Sequence, residues 1–252
     1  GAAPSELSGF ELFWPEYAMK NFFANEAVEP FDIADFEELV GNLSHAIVIF
    51  PEAAGSFAEI GYFSAIPKIA SKCILVLNKK YQGSDSFISL GPAKKIAQDS
   101  QFHPVIQLDY GTPDFSPVCD RIKRSYPYKN KKKFEIRKFS EMSPYDIICF
   151  AHSIVDIMSI ATLQDIDFMF KLFFKNRYSR SKVHRLVSVL VGAGYLAETG
   201  DYGHLARDRK KPSLLEVRDG YQNEESSIRI ALAELYQEGD PEFLSILKGA
   251  YS

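Results

Sequence analysis

Two carboxylates, Glu52 and Glu59, stand seven positions apart in the stretch Phe50-Pro51-Glu52-Ala53-Ala54-Gly55-Ser56-Phe57-Ala58-Glu59. An ionised side chain at the mouth of a buried strand needs a partner or a substrate. Gly55 and Ser56 would open a helix whose first backbone N–H groups have no intrahelical partner. That geometry receives a phosphate or another anion, with the Ser56 hydroxyl as an extra donor. Ser-x-x-Glu is also the spacing of a capping box, and Glu52 reads equally as a solvated loop residue, so spacing alone leaves both readings open.

The elements that position these residues follow from the pattern around them. The run 46–50 (Ala-Ile-Val-Ile-Phe) is a continuous apolar strand, as are 73–77 (Cys-Ile-Leu-Val-Leu) and 105–108. Residues 10–14 are a further short strand candidate, ending at Pro15. Helical spacing is predicted over 31–42, with Asp32 placed as its cap, and over 56–65 and 93–99. Apolar strands that do not alternate, separated by helices, indicate a parallel sheet covered on both faces. Ligands of such sheets bind beyond the carboxyl ends of the strands, where residues 51–56 lie. The fold class is therefore α/β, with a Rossmann-like parallel sheet in the first part.

Charge divides the chain in three. Residues 1–119 carry 7 Lys+Arg against 15 Asp+Glu, residues 120–211 carry 19 against 10, and residues 212–252 carry 3 against 8. A basic block between acidic ends faces a polyanion, or else docks on acidic parts of the same protein or a neighbour. No apolar run reaches the roughly 18 residues of a membrane helix, and the first residues show no secretory-signal pattern. Cys73, Cys119 and Cys149 are odd in number and far apart, without CxxC or a His cluster. Disulfides and zinc are not expected, nor is any cofactor, and a reducing cytoplasm is the expected location.

Residues 111–140 are rich in Pro and Gly and end in the run Lys129-Asn130-Lys131-Lys132-Lys133. This predicts a first domain over 1–119, a basic linker over 120–144 and a second, helical domain over 145–252. The linker lysines are a solvated run or a contact site. Helices are predicted over 145–159, over 163–175 behind a Thr162 cap, and over 182–192 behind Ser179 or Ser181. A strand, a tight Gly-containing turn and a second strand follow over 195–206, and acidic helices over 224–236 and 241–250. Helix, turn, helix and two-stranded wing is the order of a winged helix-turn-helix. Its candidate recognition helix presents Arg180, Lys182 and Arg185 outward, with Leu186, Val187, Leu190 and Val191 toward a core. Tyr202 and His204 fall in the wing. Such modules also serve in protein contacts and dimerisation. His103, His152 and Phe168-Met169-Phe170 read as core.

The segment from Phe50 to Ser64 is similar to the signature of nucleoside 2-deoxyribosyltransferase-like proteins, and more closely to those acting as effectors of retron anti-phage systems. There an apolar strand runs into Phe-Pro-Glu-x-x-Gly-Ser-Phe-x-Glu-Leu-Gly, with Ile60 here in the Leu place. Ser86-Phe87-Ile88-Ser89-Leu90-Gly91-Pro92 and Phe13-Trp14-Pro15-Glu16 resemble two further segments of that group. The group opens with a strand, a Gly-containing loop and a long helix, and this chain reaches the next strand by residue 10. His45 stands where relatives often carry Asp.

The resemblance implies an N-glycosidase or deoxyribosyltransferase acting on a nucleoside, nucleotide or NAD. In it Glu59 is the nucleophile, Glu52 an acidic group that orients a sugar hydroxyl or assists the leaving base, and Pro51, Gly55 and Ser56 the substrate-binding turn. Glu37 matches a further acidic position. It also implies a homo-oligomer, and a retron reverse transcriptase with its multicopy single-stranded DNA and RNA as the partner that holds a toxic activity in check. A reading from another class is a winged-helix nucleic-acid-binding regulator whose first domain senses a nucleotide without cleaving it.

Overall fold

The structure is a computed structural model and describes residues 7, 10, 12–13, 33–81, 91–102, 105–125, 134–200, 203–239 and 246. The chain divides into two compact units, Gly1–Leu12 with Phe31–Lys131, and Phe13–Pro30 with Lys132–Ser252. Of the strand expected over 10–14, residues 10, 12 and 13 are described and lie in no strand, while the Asp32 cap falls outside the described set. So do the stretch 86–90, the lysine run, His103, Tyr202 and nearly all of the helix expected over 241–250.

The first unit is α/β. Helix α1 (Ile33–Leu43) precedes β1 (Ile47–Ile49), α2 (Ala54–Ala65), the single turn α3 (Pro67–Ala70) and β2 (Cys73–Asn78). Helix α4 (Pro92–Asp99), β3 (Ile106–Leu108) and α5 (Ser116–Arg124) follow. The three strands lie side by side in the order β1-β2-β3, all parallel, with Ile47 opposite Cys73 and Val76 opposite Ile106. The reason is visible in β2, whose first four residues are all buried: a strand apolar on both faces needs cover on both. One cover is α2 and α4, where Ile60, Phe63 and Ile96 close on Ile49 and Leu75. The other is α5, where Val118 and Ile122 close on Ile74, Val76 and Ile106.

Two polar devices tie this unit together. The Lys72 ammonium donates to the carbonyls of Gly41, Asn42 and Ser44 at 3.0, 2.7 and 2.8 Å, satisfying the carbonyls left open at the end of α1. Ser100 donates to the Cys73 carbonyl at 2.6 Å. The domain boundary expected at residue 119 falls inside α5. Pro117 occupies the first turn of that helix, where its missing N–H costs nothing, so the proline starts an element instead of ending a domain.

The second unit begins its regular structure at α6 (Pro144–Met158) and continues through β4 (Ile160–Ala161), α7 (Leu163–Phe174) and α8 (Arg180–Gly192). Strands β5 (Leu196–Thr199) and β6 (His204–Arg207) and the long helix α9 (Gln222–Gly239) complete it. Ser143 and Asp146 form a reciprocal capping box at the head of α6, and Thr162 and Asp165 form another at the head of α7. Ser179 caps α8 by accepting the Lys182 N–H at 3.3 Å. The strands form an antiparallel sheet in the order β4-β6-β5. The core is Ile147, Ile154, Ile166, Phe170, Val183, Leu186, Leu190 and Leu196. Phe139 and Phe150 each meet the rings of Phe170 and Phe174 edge-on, with centroids 5.0–6.3 Å apart. Val191, expected in this core, is only half-buried.

Candidate functional site

The three parallel strands end on one edge of the sheet, and three loops start there: 50–53 after β1, 79–81 after β2 and 109–115 after β3. Helix α2 starts at Ala54, two residues before the start expected from Ser56. Ala53 is its N-cap and offers no side-chain acceptor. Ser56 sits instead at the third helical position, and its hydroxyl turns back onto the loop. Its oxygen accepts the backbone N–H of Glu52 and of Ala53, both at 3.1 Å, and donates its proton to the Ala53 carbonyl at 2.9 Å. Ser56 thereby fixes the mouth of β1, and its one proton is committed within the loop.

Glu59 lies one turn further along α2 and is half-buried. Ser56, Glu59 and Phe63 follow one another at three- and four-residue spacing, which places them on one side of the helix. Phe63 is buried against the sheet and Ser56 is fastened at the strand mouth. Ser56 and Glu59 are thus not a reciprocal capping box, since the acceptor of the pair has moved to the loop.

Glu52 and Gly55 are exposed, and Pro51 is half-buried. Glu52 lies close enough to Tyr110 for its charge to act on the phenol: burial first, and Glu52 second, push the Tyr110 hydroxyl up to about 12. Tyr110 therefore stays a neutral donor, and it gives its proton to the Val76 carbonyl at 2.7 Å. Phe50, the residue after β1, meets the rings of Tyr110 and Phe115 edge-on at 6.1 and 5.9 Å. These three rings join the β1 mouth to the β3 loop, and two of them, Tyr110 and Phe115, belong to none of the sequence motifs. The signal available for them was the convergence of strand ends in a parallel sheet, which brings the residues after β3 beside those after β1. Gly55 is not sterically required, because a Cβ there would meet nothing within 4 Å.

Glu37 is half-buried on α1, one position from Glu38, which accepts a hydrogen bond from the Tyr62 hydroxyl of α2 at 3.4 Å. His45 lies before β1, at the opposite end of the strand from the mouth, and packs edge-on against Phe102 at 5.7 Å. Among the described residues no group of three or more His, Cys, Asp or Glu could hold a metal ion. Cys73 and Cys149 are buried, and burial pushes their thiols up to about 12 and about 11.

In the second unit, Arg180 opens α8 and keeps 66% of its side chain exposed while its Nε donates to Asp167 Oδ2. The same carboxylate oxygen meets His184 Nε2 at 2.9 Å, and the Tyr178 hydroxyl donates to the Asp167 carbonyl at 3.1 Å. Lys182 is half-buried with its ammonium 5.7 Å from the centre of the Phe139 ring. Arg185 and His204 are half-buried. Asp167 is the partner that the outward pattern of basic residues did not reveal. His152 is fully buried, as expected, but Phe168 is 59% exposed. Among the described residues no helix is long and apolar enough to cross a membrane.

Comparison with known proteins places the chain. It is 25% identical over 116 residues to the retron Ec86 ribosyltransferase/DNA-binding protein of Escherichia coli, a match covering 46% of this chain and 36% of that one. It is 23% identical over 201 residues to the corresponding retron Ec73 protein of Escherichia coli, covering 73% and 63% of the two chains. Both names give their ribosyltransferase and DNA-binding assignments provisionally. The matches thus span about a third and somewhat under two thirds of these relatives. The model of the STM3845 retron effector protein family matches residues 2–198, so the chain belongs to that family of retron effectors.

Proposed function

We propose that the first unit cleaves the N-glycosidic bond of a nucleoside, nucleotide or NAD, and that the second unit, a winged helix-turn-helix, tethers it to a retron reverse transcriptase with its single-stranded DNA and RNA. The observation that carries the enzymatic half is the placement of Glu59: half-buried, on the side of α2 shared with Ser56, at the carboxyl edge of a parallel sheet.

The Glu59 carboxylate attacks the anomeric carbon as the carbon–nitrogen bond breaks. The base leaves with the electron pair and takes up a proton, with Glu52 assisting. The resulting glycosyl ester is resolved by water, giving hydrolysis, or by a second base, giving transfer. Positive charge that develops on the sugar is stabilised by the Glu59 carboxylate. In the second unit the strand order β4-β6-β5 behind α7 and α8 supports the winged-helix reading, with Arg180, Lys182 and Arg185 on the nucleic acid backbone.

The test is base release, followed by chromatography, from a panel of nucleosides, nucleotides and NAD, with the parent chain and Glu59→Gln. Release that falls at least about a hundredfold in Glu59→Gln supports the assignment. Equal release by the two proteins removes Glu59 from the chemistry. Nucleotide binding without turnover in either protein supports the sensing domain of the alternative reading.

A further inference from the structure

Helices α1 and α2 both start toward the carboxyl edge of the sheet. Helix α2 follows the β1 mouth directly. Helix α1 ends at the other edge, where Lys72, the residue before β2, holds its last carbonyls. A helical side chain leans toward the N-terminus of its own helix, over the preceding turn. Side chains of both helices therefore lean toward the edge where the β1 loop lies.

Tyr62 follows Glu59 by three positions on α2, so the two are surface neighbours with Cβ atoms about 5–6 Å apart. The Tyr62 ring lies back over the turn that carries Glu59. Its hydroxyl donates across to Glu38 Oε2 of α1 at 3.4 Å, and both residues are half-buried. Glu38 stands three positions before Gly41, where an added Cβ would meet Ile47 and Ile69 at 3.2 and 3.3 Å. The carboxylate is thus on the side of α1 turned toward β1. One long hydrogen bond to one oxygen is little compensation for a half-buried carboxylate, which can accept about four. Among the described residues Glu38 has no other hydrogen-bond partner, so its second oxygen is open to a donor from a ligand.

We infer that Glu38, held in place by Tyr62, reads the sugar at this site by accepting a hydrogen bond from a ribose 2′-hydroxyl. The inference rests on the proposed cleavage at Glu59 and adds what selects the substrate. Carbon 1′, which Glu59 attacks, is bonded to carbon 2′, so a carboxylate beside the Glu59 turn faces the 2′-hydroxyl. Glu52 lies on the loop ahead of α2, and Glu38 lies beyond Glu59 along the same helix. The leaving base on the Glu52 side and the sugar hydroxyl on the Glu38 side lay the substrate across the nucleophile. A carboxylate repels phosphate, which leaves a neutral hydroxyl as the group it accepts from. That hydrogen bond strengthens as positive charge develops on the sugar. A substrate without the hydroxyl leaves the oxygen unpaired and is rejected. The substrate class is ribosyl, not 2′-deoxyribosyl.

The experiment compares sugars, because a ratio between two substrates on one preparation is insensitive to loss of folded protein. Base release, as kcat/KM, is measured on NAD and the four ribonucleoside 5′-monophosphates. Each is set beside its counterpart lacking the 2′-hydroxyl at the bond to be cleaved. The parent is expected to favour the ribosyl form at least about tenfold. Glu38→Ala should bring the ratio near one. Glu38→Gln, which keeps an acceptor oxygen, should retain part of it, and Tyr62→Phe, which frees the carboxylate, should fall between parent and Glu38→Ala. A parent that handles both sugars alike overturns the inference. So does a preference that survives Glu38→Ala, which would make the Tyr62 contact a tie between two helices and nothing more.

Calorimetric binding of the same compounds to Glu59→Gln keeps the two readings apart. Ribose-selective binding that is lost when Glu38→Ala is added upholds the role of Glu38 even where release proves independent of Glu59. Glu59-dependent release without sugar preference overturns the role of Glu38 alone. A chain that neither binds nor cleaves any of the compounds overturns both.

Discussion

Ser56 holds the mouth of β1 by accepting the backbone N–H of Glu52 at 3.1 Å, from a position inside α2 and not ahead of it. One hydroxyl thus couples the loop that carries Glu52 to the helix that carries Glu59. Ser56→Ala removes the coupling while leaving both carboxylates in place. The freed N–H groups of Glu52 and Ala53 lie in an exposed loop and are rehydrated, so the expected loss of stability is about 1 kcal/mol or less. The expected loss of base release is larger, about tenfold or more, because reacting groups displaced by even about 1 Å lose much of their advantage. Thermal unfolding and product chromatography on the same preparation check both, and an unchanged rate would detach Ser56 from the site.

Tyr110 predicts a titration with a definite sign. Its hydroxyl is held up to about 12 against an ordinary 10.0 by burial and by Glu52. A raised folded value means that its contribution is fully present below about 10 and is lost as the pH climbs through about 12. Phenolate absorbance during alkaline titration should therefore show a tyrosine ionising late, and Tyr110→Phe should abolish that component. The variant should also be less stable at neutral pH by about 1 kcal/mol, since the Val76 carbonyl loses its donor. Its stability should fall less steeply than the parent's between pH 10 and 12. Identical alkaline slopes would show that Tyr110 is not the group held back.

His152 predicts the acid side. It is 0% exposed, neither ring nitrogen has a hydrogen-bond partner, and its ring meets Tyr195 edge-on at 5.9 Å. Burial lowers its pKa from 6.5, with Asp156 opposing and Arg207 reinforcing the shift. A depressed folded value gives stability that is complete above about 6.5 and is lost as the pH falls through the folded value. In His152→Leu, unfolding midpoints measured from about pH 8 down to about pH 5 should fall less than the parent's. Near pH 8 the variant should be as stable as the parent or more so, because two buried polar atoms without partners have been removed. An acid slope equal to the parent's would place the proton elsewhere.

What could be read from the sequence was what short range decides. Thr162 and Asp165 stand three apart and cap α7 as their types dictate, and the all-apolar run from Cys73 is a strand buried on both faces. The start of α2 is not legible in residue types, because Ser56, a good N-cap by type, serves at the third position while Ala53, a poor one, holds the cap. Helix α5 is hidden in the sequence because Pro117 breaks a helix interior but fits a first turn. Strand β4 is two residues long and owes its existence to β6 more than 40 positions away. The rings of Phe50, Tyr110 and Phe115 meet across some 60 residues of chain, a distance at which no periodicity carries information. Asp167 reads as an ordinary helix carboxylate until α8 brings Arg180 and His184 onto it.

That last cluster separates a structural role from a binding one. Asp167 is buried and holds both Arg180 and His184 through one oxygen, so Asp167→Ala strips the partner from a buried ring and from the head of α8. Because the arginine is largely exposed, water takes over much of its loss, and about 2 kcal/mol is the expected cost. Arg180→Ala should cost less than about 1 kcal/mol, since His184 still satisfies the carboxylate oxygen. In binding the order reverses if α8 meets a nucleic acid backbone as proposed. Arg180→Ala then removes one released counterion, flattening the dependence of log affinity on log salt by about 0.9 for duplex or about 0.7 for single strands. Lys182→Ala should do the same, with an additional small loss of stability from its place over the Phe139 ring. Fluorescence anisotropy across a salt series measures these slopes directly. A slope unmoved by either substitution would take α8 off the nucleic acid and leave Asp167, Arg180 and His184 as a clamp for the fold alone.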